Sequence, residues 1–256
     1  MPTALVTGGA RGIGRGAVTA LAAAGFNIGS ISMETADDAA PMIADVRAHG
    51  REVVHLRHDI ADIDAQASLV ATITDRVGPI ECLVNNAGVT SLIRGDMLAL
   101  TPESFDRSVG INLRGTFFLT QAVARAMIAA KAAGQVSAYR SIVTITSLNA
   151  EVLGLNRADY CITKAGLSMA SKLFAARLAQ EGIHVFELRP GIIRTDMTAP
   201  ATAAYDRLID AGGVPLARWG TPEDVGATIA TIAQGKLPFA TGEILNVGGG
   251  LHLHRV

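Results

Sequence analysis

The chain is poor in cysteine and in aromatic residues: two cysteines, and 4% Phe, Trp and Tyr, in 256 residues. Neither Cys82 nor Cys161 belongs to a CxxC pair, so no zinc site or disulfide framework is supported. A reducing cytoplasm is the compartment expected from that cysteine usage. Net charge is −1, which leaves no global basic field to attract nucleic acid. No apolar run reaches the roughly 18 residues of a membrane span. The opening "MPTALVTGGA" lacks a basic region followed by a long apolar one, so no signal peptide is expected. What is present is 49% apolar residues and 27 glycines, the balance of a close-packed α/β protein. No linker-like composition, repeat or low-complexity segment divides the chain, and one domain over 1–256 is expected.

Short apolar runs alternate with helical patterns. "TALVT" (Thr3–Thr7), "NIGSIS" (Asn27–Ser32), "EVVHLRHDI" ending at Asp59, and "IECLV" (Ile80–Val84) read as strands. "RSIVTITS" (Arg140–Ser147), "IHVFELRP" and "GEILNV" continue the set. Between them lie helical stretches, among them Pro102–Ala133, Ala158–Glu181 and "TPEDVGATIATIAQG". Repeated strand–helix units predict a parallel, doubly wound sheet of the Rossmann type with helices on both faces.

"TGGARGIG" places Gly8, Gly12 and Gly14 between the first strand and the first helix. Glycine there opens the backbone angles of the turn and lets the main chain approach a pyrophosphate. The helix N-terminus then offers unpaired N–H groups to the anion. A ligand-free glycine turn is the rival reading, and the strand-before, helix-after context argues for a dinucleotide. Asp59 is expected to accept a bond from an adenine amino group, and "NNAG" (Asn85–Gly88) to line the cofactor. Ser32 ends the second strand, with Glu34 two residues on. Ser32 with Arg11 leans to NADP, Glu34 to NAD, and the balance is a slight lean to NADP.

Tyr160 and Lys164 stand four apart in the helical stretch, on one face, about 6 Å apart along the axis. A free phenol titrates near about 10. A neighbouring ammonium favours phenolate, the positive ring of an oxidised nicotinamide should push the same way, and burial opposes both, so the positive charges must win. If the positive charge wins, the phenol becomes a useful acid or base. Ser147 ends a strand at the sheet's ligand-binding edge, where its hydroxyl can hold a substrate oxygen.

With Thr7–Gly14, Asp59, Asn85–Gly88, "GINLRG", Ser147, Tyr160-x-x-x-Lys164 and "RPGIIRT" in order, the chain resembles the short-chain dehydrogenase/reductase family over nearly its whole length. The resemblance implies a catalytic tetrad of Asn112, Ser147, Tyr160 and Lys164. It gives Lys164 a second task on the nicotinamide ribose and Asn112 a water-holding role in a proton relay. An ordinary helix-interior polar residue is the other reading of Asn112. An NAD(P)(H) site would comprise Gly8, Arg11, Gly12, Ile13, Gly14, Ser32, Asp59, Ile60, Asn86, Ala87, Gly88, Tyr160, Lys164, Pro190, Gly191, Ile193 and Thr195.

The resemblance further implies interconversion of a ketone and a secondary alcohol, and a homotetramer pairing long helices through the small residues of Ala170–Ala179. Within the family, 3-oxoacyl carrier-protein reductases and sugar or polyol dehydrogenases share these motifs. A carrier protein is acidic, and Glu181 with a near-zero total charge argues mildly against one. Arg125, Lys131, Lys172 and Arg177 remain as a local basic patch. A dinucleotide sensor without turnover is the reading of another class.

The segment after Thr195, "DMTAPATAAYDRLIDAGG", is expected to close as a lid. Arg94, Glu151 and Arg157 are candidates to meet a polar substrate or ordinary surface charges. Two departures from the family pattern are Asn246 in "NVGGG" and Cys161 beside Tyr160, and little effect is expected of either. His55 and His58 are expected on opposite strand faces. His252 and His254 would share a face in an extended tail, where a subunit contact or a solvated end is favoured over a metal site, which stays open.

Overall fold

A parallel strand covered on both faces has no solvent side, so its residues need not alternate. The strand β1 (Thr3–Thr7) is buried at every position, as are β2 (Asn27–Ser32) and β5 (Arg140–Ile145). The computed structural model describes residues 1–137 and 139–253. With β3 (Val53–Arg57), β4 (Ile80–Asn85), β6 (Ile183–Pro190) and β7 (Ile244–Val247), they form one seven-stranded parallel sheet. The order is β3-β2-β1-β4-β5-β6-β7. The winding reverses between β1 and β4, and the crevice beyond their carboxyl ends is where such sheets take ligands.

Helices α1 (Gly12–Ala23), α2 (Ala36–Ala48) and α8 (Pro222–Ala233) cover one face, burying Leu21, Met42 and Ile229 with Ile28 and Phe186. Helices α3 (Gln66–Val77), α5 (Thr116–Ala132) and α6 (Ala158–Leu178) cover the other, burying Ile73, Leu119 and Leu178 with Leu5 and Ile142. Each such side chain contributes about 1.5–3 kcal/mol on burial. A Cβ on Gly16 of α1 would collide with the Pro222 carbonyl of α8, and one on Gly226 with the Gly16 carbonyl. The two helices therefore touch backbone to backbone, which fixes the start of α1. Gly16→Ala would force them apart.

Several boundaries differ from expectation, each for a local reason. β3 ends at Arg57, so Asp59 lies two residues beyond the strand. Asp59 Oδ1 accepts the Ala61 N–H and Asp62 Oδ1 the Asp64 N–H, turns that delay α3 until Gln66. β5 ends at Ile145, leaving Ser147 just past it. α6 stops at Leu178 and passes through a 3-10 turn, Ala179–Glu181.

The helical stretch expected over 102–133 is three pieces: α4 (Pro102–Ser108), a π-helical turn (Val109–Gly115) and α5. The segment after Thr195 contains a helix that the pattern did not show, α7 (Thr202–Asp210). A small core of Ile192, Ile209 and Val214 with Trp219 anchors it.

Among the described residues, no helix is long and apolar enough to cross a membrane. Nor does any group of three or more His, Cys, Asp or Glu among them stand ready for a metal. His55 reaches Ser30 Oγ and the Glu34 carbonyl, while His58 falls beyond β3 beside Asp62. His254 lies outside the described residues.

Candidate active site

The glycine turn leads from β1 into α1. Gly8 and Gly12 hold φ of +66° and +53°, a region L side chains avoid. A Cβ on Gly14 would collide with the Gly8 carbonyl. No side chain caps α1 and no acid stands in its first turn, so its N–H groups are free for an anion. The turn thus fits the pyrophosphate of a dinucleotide.

Thr7 Oγ1 accepts the Asn86 and Ala87 N–H groups at 3.0 and 2.9 Å, and Asn86 Nδ2 donates to the Thr7 carbonyl at 2.9 Å. The "NNAG" loop is therefore knitted to the glycine turn, and the Asn86 amide is spent on that joint. Asn85 is buried and donates to Thr120 Oγ1. The Gly12 position faces Thr195 Cγ2 across the cleft, at 3.4 Å from an added Cβ. Ile60 and Ile193 are buried, and Ile13 is half-buried against the core. Pro190 closes β6, and Gly191 lies against Gly248 so closely that a Cβ would not fit comfortably. Asp59 is exposed, with one oxygen turned to Ala61.

Arg11 does not stand free for a phosphate. Its Nε lies 2.8 Å from Glu34 Oε1, and its Nη1 is 3.8 Å from Asp196 Oδ2. Burial pushes the Glu34 carboxyl upward, but Ser32, the Glu34 backbone and Arg11 outweigh it and hold the carboxyl below its ordinary value. A charged acid thus occupies the place beyond β2 where the sequence leaned to a phosphate.

Ser147, Tyr160, Lys164 and Asn112 converge at the carboxyl edge of β4 and β5. Ser147 starts a 3-10 turn (Leu148–Ala150) and accepts the Asn149 N–H at 3.1 Å. Lys164 is buried, donates to the Ile145 carbonyl at 2.9 Å and places Nζ 5.6 Å from the Tyr160 ring centre. Burial brings Lys164 down to about 8, with Glu187 opposing. Burial also raises the Tyr160 phenol above its ordinary value. The Ser147 hydroxyl and the Arg157 charge pull it back, while Cys161 and Tyr205 of α7 push it up. Among the protein's own groups burial prevails; the expectation that positive charge wins counted also on the ring of an oxidised nicotinamide, which would pull the phenol the other way.

Asn112 sits in the π-helical turn, fully buried. Its Oδ1 accepts the Val89 N–H at 2.7 Å, and its Nδ2 donates to the Val89 carbonyl and Thr163 Oγ1 at 2.9 and 3.1 Å. The carboxamide is committed, so a water would have to be held by the main chain, where π-turns disturb regular pairing. An added Cβ on Gly88 would stand 3.2 Å from Asn112 Oδ1 and 3.7 Å from Lys164 Nζ, which ties the "NNAG" loop to the tetrad.

Two supports went unnoticed in the sequence. Asp159 is buried beside Tyr160 and accepts from Ser91, from Ser104 and Ser108 at 2.8 Å each, and from the Tyr160 N–H. Glu187 is buried behind Lys164 and accepts from Thr146, Ser168 and Arg189. Arg189 also reaches Glu151, in the loop after Ser147, at 2.6 Å. The signal was "ELR" on β6, where residues two apart share a face. Arg94 donates to Thr90 Oγ1 from an exposed position. Cys161 Sγ lies 3.7 Å from the Gly154 carbonyl, a packing contact.

The family model described as enoyl-(acyl carrier protein) reductase matches residues 8–252. The chain is similar to the 3-oxoacyl-[acyl-carrier-protein] reductase of Synechocystis sp., with 33% identity over 97% of this chain and 96% of that one. It is equally similar to the L-rhamnose 1-dehydrogenase (NAD(P)(+)) of Azotobacter vinelandii, with 33% identity over 98% and 97%. Among solved structures, a 3-oxoacyl-[acyl-carrier protein] reductase from Brucella melitensis in complex with NAD shares 47% identity. It covers 100% of this chain and 98% of its own at a TM-score of 0.95. The chain belongs to the short-chain dehydrogenase/reductase family, nicotinamide-dependent oxidoreductases that act on CH–OH groups.

Proposed function

We propose that the protein interconverts a secondary alcohol and a ketone with Tyr160 as the proton donor or acceptor. The observation that carries this is the Ser147 hydroxyl beside the Tyr160 phenol, with the Lys164 ammonium next to the same ring. A nicotinamide held at the glycine turn would supply hydride chemistry, giving hydride in reduction and taking it in oxidation. Ser147 hydrogen-bonds the substrate oxygen and aims it at Tyr160. Tyr160 gives its proton to that oxygen in reduction and takes it back in oxidation. Lys164 would hold the nicotinamide ribose, and Asn112 would keep the relay water through its main chain.

NAD is the cofactor this geometry favours. Glu34 holds a negative charge beside Ser32 and occupies Arg11. A carboxylate there welcomes ribose hydroxyls and repels a 2′-phosphate. This reading departs from the slight lean to NADP drawn from Ser32 with Arg11.

A homotetramer is supported by apolar side chains left exposed on the long helices: Phe118 on α5, and Ile162, Met169 and Leu173 on α6. Ala170 and Ala175 are buried within the chain itself, so these small residues serve the fold rather than a dyad. Two free thiols, Cys82 and Cys161, fit a cytoplasmic home.

Reduction of a 3-oxoacyl group on a carrier protein is the second reading, favoured by the similarity to the Synechocystis and Brucella melitensis reductases. Of the basic residues that would dock a carrier, Arg177 pairs with Glu181 and Lys131 donates to the Glu181 carbonyl. The test is NADH consumption with a panel of ketones, sugar ketones and oxoacyl thioesters. Tyr160→Phe should bind NADH as the parent does and lose about 10²–10⁴ in turnover. A fully active Tyr160→Phe would remove Tyr160 from the chemistry.

A further inference from the structure

Arg157 immediately precedes α6, three residues before Tyr160. Two carboxylates lie within six residues of it, and neither meets it. Glu151 is paired with Arg189 at 2.6 Å, and Asp159 is filled by three serine hydroxyls and the Tyr160 N–H. Among the described residues, the Arg157 guanidinium has no hydrogen-bond or ion-pair partner, and its Nε is buried without one. A buried donor in that state is costly unless something accepts from it.

Its position is set by the loop that follows Ser147. Arg157 donates its N–H to the Gly154 carbonyl at 2.9 Å. Its Nε would stand 2.8 Å from a Cβ on Gly154, and Asn149 Nδ2 would stand 3.2 Å from the same point. The guanidinium therefore lies against the loop that joins the hydrogen-bonding serine to the proton-donating tyrosine. Its charge is felt at the Tyr160 phenol.

We propose that Arg157 is the anion-recognition residue of the substrate site, and that the substrate is a hydroxy acid or oxo acid whose free carboxylate seats on this guanidinium. This rests on the oxidoreductase reading above and narrows it. One unmatched guanidinium calls for one negative charge, as on a carboxylate. A planar fork matches that group with two parallel hydrogen bonds. A thioester carbonyl offers no charge, so the same site disfavours an acyl group on a carrier.

The test pairs acids with neutral counterparts: lactate with lactamide, 3-hydroxybutyrate with 3-hydroxybutanamide and with its N-acetylcysteamine thioester, gluconate with glucitol. For each, NAD reduction gives kcat/KM, and calorimetry of the enzyme–NADH complex gives binding. The acid of at least one pair should be preferred by about tenfold or more, and Arg157→Gln should collapse that ratio by about ten- to hundredfold. Arg157→Lys should restore part of it. Gly154→Ala, which displaces the guanidinium without removing it, should lower it too.

Unchanged NADH affinity certifies that each variant is folded. Because Arg157→Gln also changes the field at Tyr160, only the acid-to-neutral ratio is read. Neutral or thioester members turned over in preference to acids, or a ratio unmoved by Arg157→Gln, would overturn the anion site and leave the oxidoreductase standing. Acid binding that Arg157→Gln abolishes, without turnover of any pair, would uphold the anion site and sink the oxidoreductase reading. No acid binding and no turnover would sink both.

Discussion

Arg189 Nε stands 2.6 Å from Glu187 Oε1, two residues back on the same strand, with both side chains buried. Removing one partner leaves the other charged and without water. Arg189→Met should therefore cost about 3–5 kcal/mol of unfolding free energy. Glu151→Gln removes the exposed partner of the same arginine and should cost about 1 kcal/mol or less. Urea unfolding of both variants checks the contrast. Equal losses would mean that the Arg189–Glu187 pair does not anchor the edge behind Lys164.

The proposed preference for NAD rests on Glu34. Glu34→Ala frees Arg11 and removes the charge that repels a 2′-phosphate. The ratio of kcat/KM with NADPH to that with NADH should rise about tenfold or more, and further with Glu34→Arg. Steady-state kinetics with both cofactors on one substrate gives the answer. A parent enzyme that already prefers NADPH, or a ratio indifferent to Glu34, contradicts the assignment.

β1, β2 and β6 begin and end where the sequence placed them; β1 is an apolar run closed by glycine and β6 ends at proline. That Asn112, Ser147, Tyr160 and Lys164 come together was expected on another ground, the ordered motifs and the resemblance they carry, with the spacing of Tyr160 and Lys164 alone explicable from helix geometry. What stayed hidden depends on partners far along the chain. The π-turn at Val109–Gly115 sits inside one continuous helical pattern, and nothing in the local sequence marks the extra residue. Asp159 reads as a helix-start acid until the serines 51 to 68 residues away close around it. Arg11 looked free because its partner lies beyond the next strand. The balance at Tyr160 also turned on burial, which spacing cannot show.

Lys164 makes stability depend on pH in the cofactor-free protein. Its folded pKa of about 8 lies below the 10.5 of a free lysine. Between those values the unfolded chain holds the proton more firmly, so stability rises as pH rises from about 8. The clean window closes near 9, because burial pushes the Cys82 thiol up to about 12 and that group acts in the opposite sense. Chemical denaturation at about pH 7.5 and about pH 9 should show the gain, and Lys164→Met should abolish it. A flat or falling profile in the parent protein would contradict a depressed lysine.

Asp159 should govern the acid side. Burial pushes its carboxyl upward, but bonds from Ser91, Ser104, Ser108 and the Tyr160 N–H overcome this and hold it below the ordinary value of 3.8. The folded state thus favours the charged form. Its contribution is present above pH 3.8 and is lost as pH falls through the depressed folded value. Asp159→Asn should flatten stability across that acid range. It also places an amide donor among three hydroxyls, so the start of α6 loosens around Tyr160. Turnover should then fall while NADH affinity holds, since the glycine turn is untouched. Asp159→Glu, which restores the charge on a longer stem, should recover acid dependence more than it recovers turnover. An Asn variant with the parent's acid profile and turnover would show that the four bonds merely fill space.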